Sequence, residues 1–351
     1  MGFTEDNLND IRRKIDAQPA PLAEARRRLN LTRSIAERFH GAQRTYASGS
    51  LAQHTFIHPV GDGDGGVVLN RTFYPKLGPD GLGETPSETA TELCALLGPA
   101  VRETYPGARC TTSKRGPKLS FGQPVGDQDP TVDLVVALTR KEGAGLWIPN
   151  LEADTWEASD PEGHVKLFTS GGASEKQTRR RTVRLLKAWN KQWDEPGFSS
   201  HNLTVWAWEF IEPRMGVAMA VATVFSKAAI RVRSGEATLD PARVSPNVRL
   251  LIDRSRAEKR LRTAAEGMIE ALEHDDDREA VQAALFKVFG RGGYVQATTT
   301  GLAGKVAALG GAAPVSTKTV GLFGAGLRPW KWCSGLDLIR GFVPVSGLVP
   351  A

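Results

Sequence analysis

Three aspartates have the type and spacing of a metal-binding cluster. Asp62 and Asp64 lie two residues apart in GDGDGG, and Asp133 interrupts the apolar run TVDLVVAL. Side chains two apart on an extended segment point to the same face, and a carboxylate within an apolar strand is costly to bury unless it is paired or bound to metal. Three neighbouring carboxylates need cations, and hard oxygen ligands with open positions suit Mg²⁺. We therefore predict a magnesium site at these aspartates.

The segment at 61–66 also matches parts of two other motifs. It has the glycine spacing of a dinucleotide-binding loop, but its carboxylates would repel a pyrophosphate, and the following VVLNRTFYP has a strand pattern. It begins like a calcium loop, but Gly66, Val67 and Phe73 stand where that loop requires Asp or Asn, Gly and Glu. Taken alone, the segment is best interpreted as a plain Gly/Asp turn between strands, and only the surrounding residues favour a metal site.

A Gly-Ser pair, Gly49-Ser50, precedes the acids by eleven residues. Glycine lets the backbone approach a phosphate closely, and the serine hydroxyl and nearby N–H groups donate to phosphate oxygens. The order of a Gly-Ser turn, a D-x-D pair and a distant aspartate on an apolar strand resembles that of the polymerase-β-type nucleotidyltransferases. This resemblance implies that Gly49 and Ser50 bind the nucleotide.

Further segments narrow the resemblance to one family. The segments GSLAQHTFIHPVGDGDGGVVL, VDLVVAL, WEASDP and RRTVRLLKAWN resemble, in the right order, those of the bacterial cGAS/DncV-like nucleotidyltransferases (CD-NTases). The run from Ala257 to Gly290 resembles their closing helices, so the resemblance covers about residues 10–290. One departure is that Gly63, Gly65 and Gly66 surround the acids where relatives often carry larger residues, which predicts a looser metal loop.

The resemblance implies a Mg²⁺-dependent enzyme that makes a cyclic di- or oligonucleotide second messenger from NTPs, releases pyrophosphate and serves anti-phage (CBASS-type) defence signalling. Asp62, Asp64 and Asp133 would hold two Mg²⁺ ions, or Mn²⁺ in their place. Lys187 would bind the triphosphate, and Ser200 would be a second phosphate contact. The partners would be ATP or GTP as substrates, an effector reached through the product, and a ubiquitin-like conjugation apparatus at the C-terminus.

The helix predicted at 175–194 has two chemically different sides. At 100° per residue its large apolar side chains share one side; they are Leu185, Leu186, Trp189 and Trp193. Its basic side chains share the opposite side; they are Arg180, Arg184, Lys187 and Lys191. This basic side is either solvated or turned toward a triphosphate by tryptophans that pack on the core. His201 is interpreted as structural. His54 and His58 are interpreted as exposed, or as contacting the metal-binding residues without binding the metal themselves.

The remaining pattern predicts an α+β protein with two lobes. Helices are predicted at 5–17, 22–39 and 86–104, strands at TFIHPV, VVLNRTFYP, SKRGPKLSFG and PTVDLVVAL, and a loop-rich connection at LWIPNLEADTWEASDPEGH. From 174 onward the pattern is mainly helical. We therefore predict a polymerase-β-like nucleotidyltransferase lobe with a mixed sheet and N-terminal helices over 1–170, a helical lobe closing the nucleotide cleft over 171–290, and a flexible, basic Gly/Ala-rich tail over 291–351.

Composition and charge restrict the class of protein. Hydrophobic residues make up 40% and charged residues 24%, as in ordinary globular proteins. The chain has a net charge of +6, and residues 291–351 contain six basic residues and one acid, so residues 1–290 carry almost no net charge. This body of the chain is therefore not a generic polyanion binder, and any nucleotide site in it must be local. The three cysteines are far apart, which is typical of a reducing compartment and not of a disulfide scaffold. The sequence also has no secretory signal and no apolar run of membrane-spanning length. We therefore predict a cytoplasmic protein.

Two alternative functions remain open from the sequence. One is a nucleotidyltransferase that modifies RNA or a protein, which would leave a label on a polymer instead of releasing a small product. The other is a catalytically idle nucleotide-binding module, against which the retention of all three acids argues. The tail is either a solvated appendage or a segment that a conjugation enzyme threads into its own site.

Overall fold

The computed structural model describes residues 2–80 and 85–295. They form a mixed α/β fold in which a sheet with flanking helices is followed by a helical bundle. The first part contains α1 (Phe3–Ile15), α2 (Pro19–Ala36), β1 (Ala42–Ser48), α3 (Gly49–Gln53), β2 (Asp62–Leu69), α4 (Pro86–Arg102), β3 (Arg109–Ser113), β4 (Gly116–Ser120), β5 (Thr131–Thr139), β6 (Leu146–Asn150) and β7 (Thr155–Ser159). The second part contains α5 (Pro161–Phe168), α6 (Ala173–Lys191), α7 (Ser200–Phe210), α8 (Val217–Ser234), α9 (Arg254–Glu273), α10 (Arg278–Phe289) and a 3₁₀ turn at Gly290–Gly292.

The sheet is mixed, as the sequence predicts. Its strand order is β1-β2-β5-β4-β3, with the β6–β7 hairpin attached to β5. Strands β2 and β5 run parallel, and the other pairs are antiparallel. Both parallel strands are apolar at their carboxyl ends, where Val67, Val68 and Leu138 are fully buried. Such continuous apolar runs form central strands because side chains on both faces are covered.

The buried side chains form two main clusters. One joins the sheet to α2 and α4, where Leu93 and Leu97 recur at helical spacing on the buried side. The other lies among α6–α10 and includes Leu8, Ile11 and Ile15 of α1. The first helix therefore packs against the helical bundle, while the lobe boundaries at 170 and 290 stay a prediction. None of the helices in the described part of the chain has the length and apolarity needed to cross a membrane.

Arg28 of α2 fixes the entry into β5. Its side chain is fully buried, and its Nη1 lies 2.6 Å from Oδ1 of Asp129 and 2.7 Å from the carbonyl oxygen of Pro130. Its guanidinium also lies over the ring of Phe121, 4.6 Å from the centroid. A buried charge persists only with such partners. Arg28 thereby positions the segment that leads directly into the strand carrying Asp133.

Three segments differ from their predicted secondary structure. TFIHPV contains only an isolated bridge, between Ile57 and Asp16, because the chain must turn from α3 back to the start of β2. SKRGPKLSFG is a hairpin, β3–β4, not one strand, since Gly116 has the positive φ of a turn. The connection predicted to be loop-rich contains the β6–β7 hairpin, whose strands gain their hydrogen bonds by extending the sheet from β5.

Cys94 and Cys110, which are far apart in the sequence, become neighbours in the fold. Helix α4 packs on β3, and this brings Sγ of Cys94 to 2.8 Å from Sγ of Cys110. Both thiols are free and half-buried. Cys333, the third cysteine, lies outside the described residues.

The first five residues of the predicted tail contact the body. Val295 is buried in the helical cluster, and Tyr294 packs against the same cluster. The ammonium of Lys14 donates to the carbonyl oxygen of Tyr294 at 2.8 Å. Residues 296–351, which make up the rest of the predicted tail, lie outside the described residues.

We predict that a chain ending at Gly290 is less stable than a chain ending at Val295. Full burial of a valine side chain contributes about 1.5–3 kcal/mol, and the shorter chain loses this burial. Urea unfolding of the two chains should show a lower midpoint for the shorter one with a similar slope. Equal midpoints would show that residues 291–295 add nothing to the helical core.

Candidate active site

A cleft of about 850 Å³ lies between the sheet and the helical bundle. Its walls come from β1, α3, β2, β5, the β3–β4 turn, and the helices α5, α6 and α7. All seven of the site residues predicted from the sequence line it; they are Gly49, Ser50, Asp62, Asp64, Asp133, Lys187 and Ser200. Folding thus brings together side chains from four separate stretches of the chain.

The parallel pairing of β2 and β5 sets the positions of the three carboxylates. Asp64 is the register partner of Asp133, and Asp62 precedes Asp64 by two residues on the same strand. Register partners on neighbouring strands point to the same face, as do residues two apart on one strand. All three carboxylates therefore belong to one face of the sheet, the face that borders the cleft.

The surroundings of Asp64 change the protonation of its carboxyl group. The pKa of Asp64 is raised to about 7, chiefly by burial and then by the negative charges of Asp62 and Asp133. Lys187 and Lys118 oppose this rise. Such a cluster is stable as three anions only when cations are close. An all-oxygen donor set with uncompensated negative charge fits Mg²⁺, which prefers carboxylate ligands and retains several waters.

Lys118 places a positive charge directly on the third carboxylate. It stands opposite Asp133 in the antiparallel pairing of β4 and β5, and its Nζ lies 3.0 Å from Oδ2 of Asp133. The sequence analysis did not single out this lysine. The alternation of SKRGPKLSFG would have indicated it only if the hairpin and its register with β5 had been known.

The Gly-Ser pair forms a turn that leaves room for a carboxylate. Gly49 has φ of +60° at the start of α3, a conformation that L side chains rarely adopt. The carboxylate of Asp64 packs directly against its Cα, so a Cβ at this position would overlap Oδ2 of Asp64. The glycine is therefore required both by the backbone and by the neighbouring acid.

The three glycines around the acids do not form a loose loop, contrary to the expectation from the sequence. The segment is the first half of β2, and its glycines are packed against neighbouring residues. A Cβ at Gly65 would approach the carbonyl oxygen of Tyr46 to 2.7 Å, and one at Gly66 would overlap the Tyr46 ring. Glycine here permits close contact between β1 and β2, which holds the acids firmly.

Lys187 joins the two halves of the cleft. Its side chain is only 5% exposed, and its Nζ donates to Oγ of Ser50 at 2.7 Å and to the carbonyl oxygen of Thr55 at 3.1 Å. The pKa of Lys187 falls to about 8, chiefly because of burial and then because of Lys191, although Asp62 and Asp64 oppose the shift. Lys187 lies on the polar side of the amphipathic helix, yet it is buried and contacts the Gly-Ser turn.

The other basic residues of α6 take different positions. Arg184 binds Asp16 at 3.0 Å and the carbonyl oxygen of His54, which ties α6 to the segment between α1 and α2 and to α3. Lys191 lines the cleft. Helix α6 ends at Lys191, so Trp193, which the sequence placed on the core side of the helix, lies beyond it.

Ser200 and two histidines form the wall near α5 and α7. Ser200 is the first residue of α7, whose N-terminus is capped by Ser199. Nε2 of His164 contacts Oδ1 of Asp240. The other carboxylate oxygen, Oδ2, accepts from the backbone N–H groups of Val244 and Ser245 at 2.9 and 2.7 Å. Asp240 is therefore already engaged in holding its own loop.

His201 stands beside this histidine–aspartate pair. Its pKa is lowered to about 4, first by burial and then by His164, so it is neutral at physiological pH. In the described part of the chain, His164, His201 and Asp240 are the one group of three whose ligand atoms all lie within 4.8 Å of each other. The three aspartates of the sheet are not such a group, because their oxygens are spaced more widely.

Other positively charged residues of the cleft were missed by the sequence analysis. Lys114 and Arg115 occupy the β3–β4 turn and border the cleft. Arg115 is paired with Glu157 at 2.6 Å. Their local sequence is a common turn sequence, and only the packing of the hairpin beside β5 brings them to the nucleotide-sized cleft.

Comparison with known proteins supports the fold. No protein-family model matches the sequence, and no curated protein is similar to it in sequence. Among solved structures, E. coli MS115-1 CdnC with ATP has a TM-score of 0.60 and 15% identity over 83% of this chain and 98% of CdnC. The Bradyrhizobium diazoefficiens CD-NTase CdnG with GTP has a TM-score of 0.62 and 16% identity over 82% of this chain and 96% of CdnG.

A third solved structure, Vibrio cholerae DncV, is described as a cyclic AMP-GMP synthase and a prokaryotic cGAS homolog. It has a TM-score of 0.50 and 14% identity over 73% of this chain and 72% of DncV. The chain therefore has the nucleotidyltransferase fold of the CD-NTases. The resemblance found in the sequence motifs and the predicted α+β fold class are confirmed at the level of the fold.

We predict that Gly49→Ala weakens divalent-metal binding and destabilises the protein. An L residue in the left-handed region costs about 1–2 kcal/mol, and the new Cβ would displace the Asp64 carboxylate. Thermal unfolding and Mn²⁺ titration should both report the change. The control is Gly61→Ala, where an added Cβ would meet no atom within 4 Å. Equal effects of the two substitutions would contradict the packing of Gly49 against Asp64.

We predict that Asp64→Asn changes the pH dependence of stability in the absence of metal. Because burial and the neighbouring carboxylates raise the folded-state pKa of Asp64 to about 7, well above the usual value for aspartate, the folded protein retains a proton that the unfolded chain loses. The wild type should therefore lose stability as pH rises from about 4 to 7, and the variant should lack this loss. Thermal midpoints in EDTA should agree near pH 4 and diverge by pH 8. Parallel curves would contradict the shifted pKa.

Proposed function

We propose that the protein is a Mg²⁺-dependent nucleotidyltransferase that joins NTPs into a cyclic di- or oligonucleotide and releases pyrophosphate. The observation that carries the proposal is the convergence of Asp64 and Asp133, paired in register, with the Gly-Ser turn and the buried Lys187 in one cleft. The shared fold supports it, because the similar proteins include structures with ATP, structures with GTP and a cyclic AMP-GMP synthase.

Asp62, Asp64 and Asp133 would hold the metal. Burial, and then the negative charges of Asp62 and Asp133, raise the pKa of Asp64, and a bound cation would relieve this cost. Two bound Mg²⁺ ions would supply charge stabilisation at the attacking and leaving oxygens of an in-line displacement, and Mn²⁺ has the same preference for oxygen ligands.

The phosphate end of the NTP would be held by the chain itself. Ser50 and Lys187 would contact the β- and γ-phosphates, and Ser200 would add a contact from the α7 side of the cleft. The ammonium of Lys187 now donates to Ser50 and Thr55, so phosphate oxygens would replace acceptors that are already in position. Its positive charge would stabilise the departing pyrophosphate.

Asp133 would take the proton from the attacking ribose hydroxyl. The ammonium of Lys118, 3.0 Å from Oδ2 of Asp133, supplies a positive charge beside the carboxylate that would accept this proton. A linear intermediate would then re-enter the cleft, and its own hydroxyl would attack to close the ring. The order of these two transfers follows from the resemblance to the CD-NTases.

The biological setting of the proposal also follows from that resemblance. The cyclic product would activate an effector in anti-phage (CBASS-type) defence, and the use of NTPs would place the reaction in the cytoplasm. A ubiquitin-like conjugation apparatus would act on the C-terminus, which lies outside the described residues. The alternatives, transfer to RNA or protein and an idle nucleotide-binding module, are separated from the proposal by the product analysis below.

We predict a small, phosphatase-resistant product from incubation with labelled NTPs, tested singly and in pairs with Mg²⁺ and analysed by mass spectrometry. Asp62→Asn and Asp64→Asn should each abolish its formation while the thermal midpoint in EDTA holds or rises. The matched control is Asp154→Asn, at an exposed position outside the cleft, which should retain full activity.

The same experiment distinguishes the alternatives. A label retained on protein or RNA would replace the messenger synthase by a polymer-modifying transferase. Absence of Mg²⁺-dependent turnover with every NTP mixture would favour the idle module. Turnover by either variant within about tenfold of the wild type, a loss of only about 1.4 kcal/mol in transition-state stabilisation, would contradict the metal assignment.

A further inference from the structure

A second cavity, of about 700 Å³, lies in the helical bundle and shares no lining residue with the nucleotide cleft. It is bounded by the end of α6 and the turn that follows it, by α9, and by the end of α10 with its 3₁₀ turn. Its volume is that of a site for a small molecule. It was not predicted from the sequence, because its walls come from residues more than sixty positions apart.

The lining of this cavity has an excess of positive charge. It contains five cationic and two acidic side chains. Two of the cations are neutralised, since Arg256 binds Glu195 and Lys287 binds Glu270. The other three, Lys259, Arg260 and Arg291, form no ion pair within the described residues. A concave surface with surplus charge of one sign attracts a counter-ion of the other sign.

Arg260 is held rigidly in this positive environment. It is buried, and its Nη1 donates to the carbonyl oxygen of Glu195 at 2.8 Å. Its pKa lies below the usual value for arginine, first because of burial and then because of repulsion by Arg256 and Arg291, which Glu195 partly offsets. An anion between these side chains would relieve that repulsion.

Trp193 organises the two free guanidinium groups. Those of Arg260 and Arg291 lie over its indole ring, 4.2 and 4.3 Å from the centroid. Such stacking fixes the direction of the arginine N–H donors. The two guanidinium groups are therefore held in fixed directions at the wall of the cavity.

The turn that carries Arg291 is anchored to the end of α6. Nε2 of Gln192 donates to the carbonyl oxygen of Val288 at 2.7 Å, and Oε1 of Gln192 accepts from the backbone N–H of Gly292 at 3.2 Å. These bonds fix the position of Arg291 relative to Trp193. The cationic groups are thus pre-arranged around a cavity and do not lie along an extended surface stripe.

We propose that this cavity binds a small polyanion with two or more phosphate groups, held by Lys259, Arg260 and Arg291 beside Trp193. Arginine suits phosphate because its planar guanidinium matches two oxygens at once, and lysine adds a compact charge. The concave shape and limited volume favour a small molecule over a nucleic-acid backbone, which requires an extended row of contacts. The site is independent of the proposed catalytic function because the two cavities have no residue in common.

Inorganic tripolyphosphate is the probe, titrated calorimetrically into the full chain in EDTA at physiological ionic strength. The test variant is Lys259→Met with Arg291→Met, because both side chains are exposed and unpaired and their loss leaves the core intact. It should weaken binding in this cavity by at least about tenfold, since two charge-assisted contacts to phosphate are lost. Unchanged thermal midpoints confirm that the variant is folded.

Two further variants assign the binding to the cavity. Arg262→Met with Arg278→Met removes the same net charge from α9 and α10 outside the cavity, and should leave the affinity unchanged. Lys187→Ala, in the nucleotide cleft, should retain the binding that the test variant loses. The site would then stand even if the protein made no nucleotide product.

The proposal would be overturned by any of four results. The first is that the wild type shows no saturable binding at millimolar tripolyphosphate, and the second is that the charge-matched control weakens binding as much as the test variant does. The third is that Lys187→Ala loses the binding and the test variant keeps it. The fourth is that duplex DNA or RNA binds more tightly than tripolyphosphate and that this binding depends on Lys259 and Arg291. The last result would assign the positive charge to a nucleic-acid surface.

Discussion

The parallel register of β2 and β5 is the constraint on which the rest of the structure depends. It places Asp64 opposite Asp133 and Asp62 on the same face, so three like charges meet at one edge of the cleft. The pKa of Asp64 is raised first by burial and then by the charges of its two neighbours. Cations approach the cluster from β4 and from α6 and offset part of the repulsion. The arrangement leaves three carboxylates together on the wall of the cleft.

The cleft is also a joint between two hydrophobic clusters. Helix α6 packs in the helical cluster. Its Lys187 nevertheless contacts the Gly-Ser turn beside the sheet, and its Arg184 binds Asp16. These polar contacts across the joint are specific in geometry and form only when the lobes are correctly placed. The same helix ends beside the second cavity, so one element borders both the nucleotide cleft and the positively charged cavity.

Much of the candidate site was accessible from the sequence because the chemistry required unusual residues. A carboxylate inside an apolar strand, a D-x-D pair, a Gly-Ser turn and a lysine on an amphipathic helix together identified six residues that the structure brings to one cleft. The seventh, Ser200, came from the resemblance to the CD-NTases and lines the same cleft. The mixed sheet and the helical second part were predicted as well. The loose metal loop was not found, because Gly65 and Gly66 serve the contact between β1 and β2, which no local pattern reveals.

The sequence by itself determined the residue types that carry the chemistry, the helical periodicity of α6 and the apolar character of the central strands. Only the tertiary structure decided the partners: Lys118 against Asp133, Arg28 at the entry to β5, Cys94 beside Cys110, and the arginines around Trp193. The physical reason is range. Periodicity and propensity act over a few neighbouring residues, whereas charge compensation and close packing depend on strand register and helix docking, which join residues far apart in the chain.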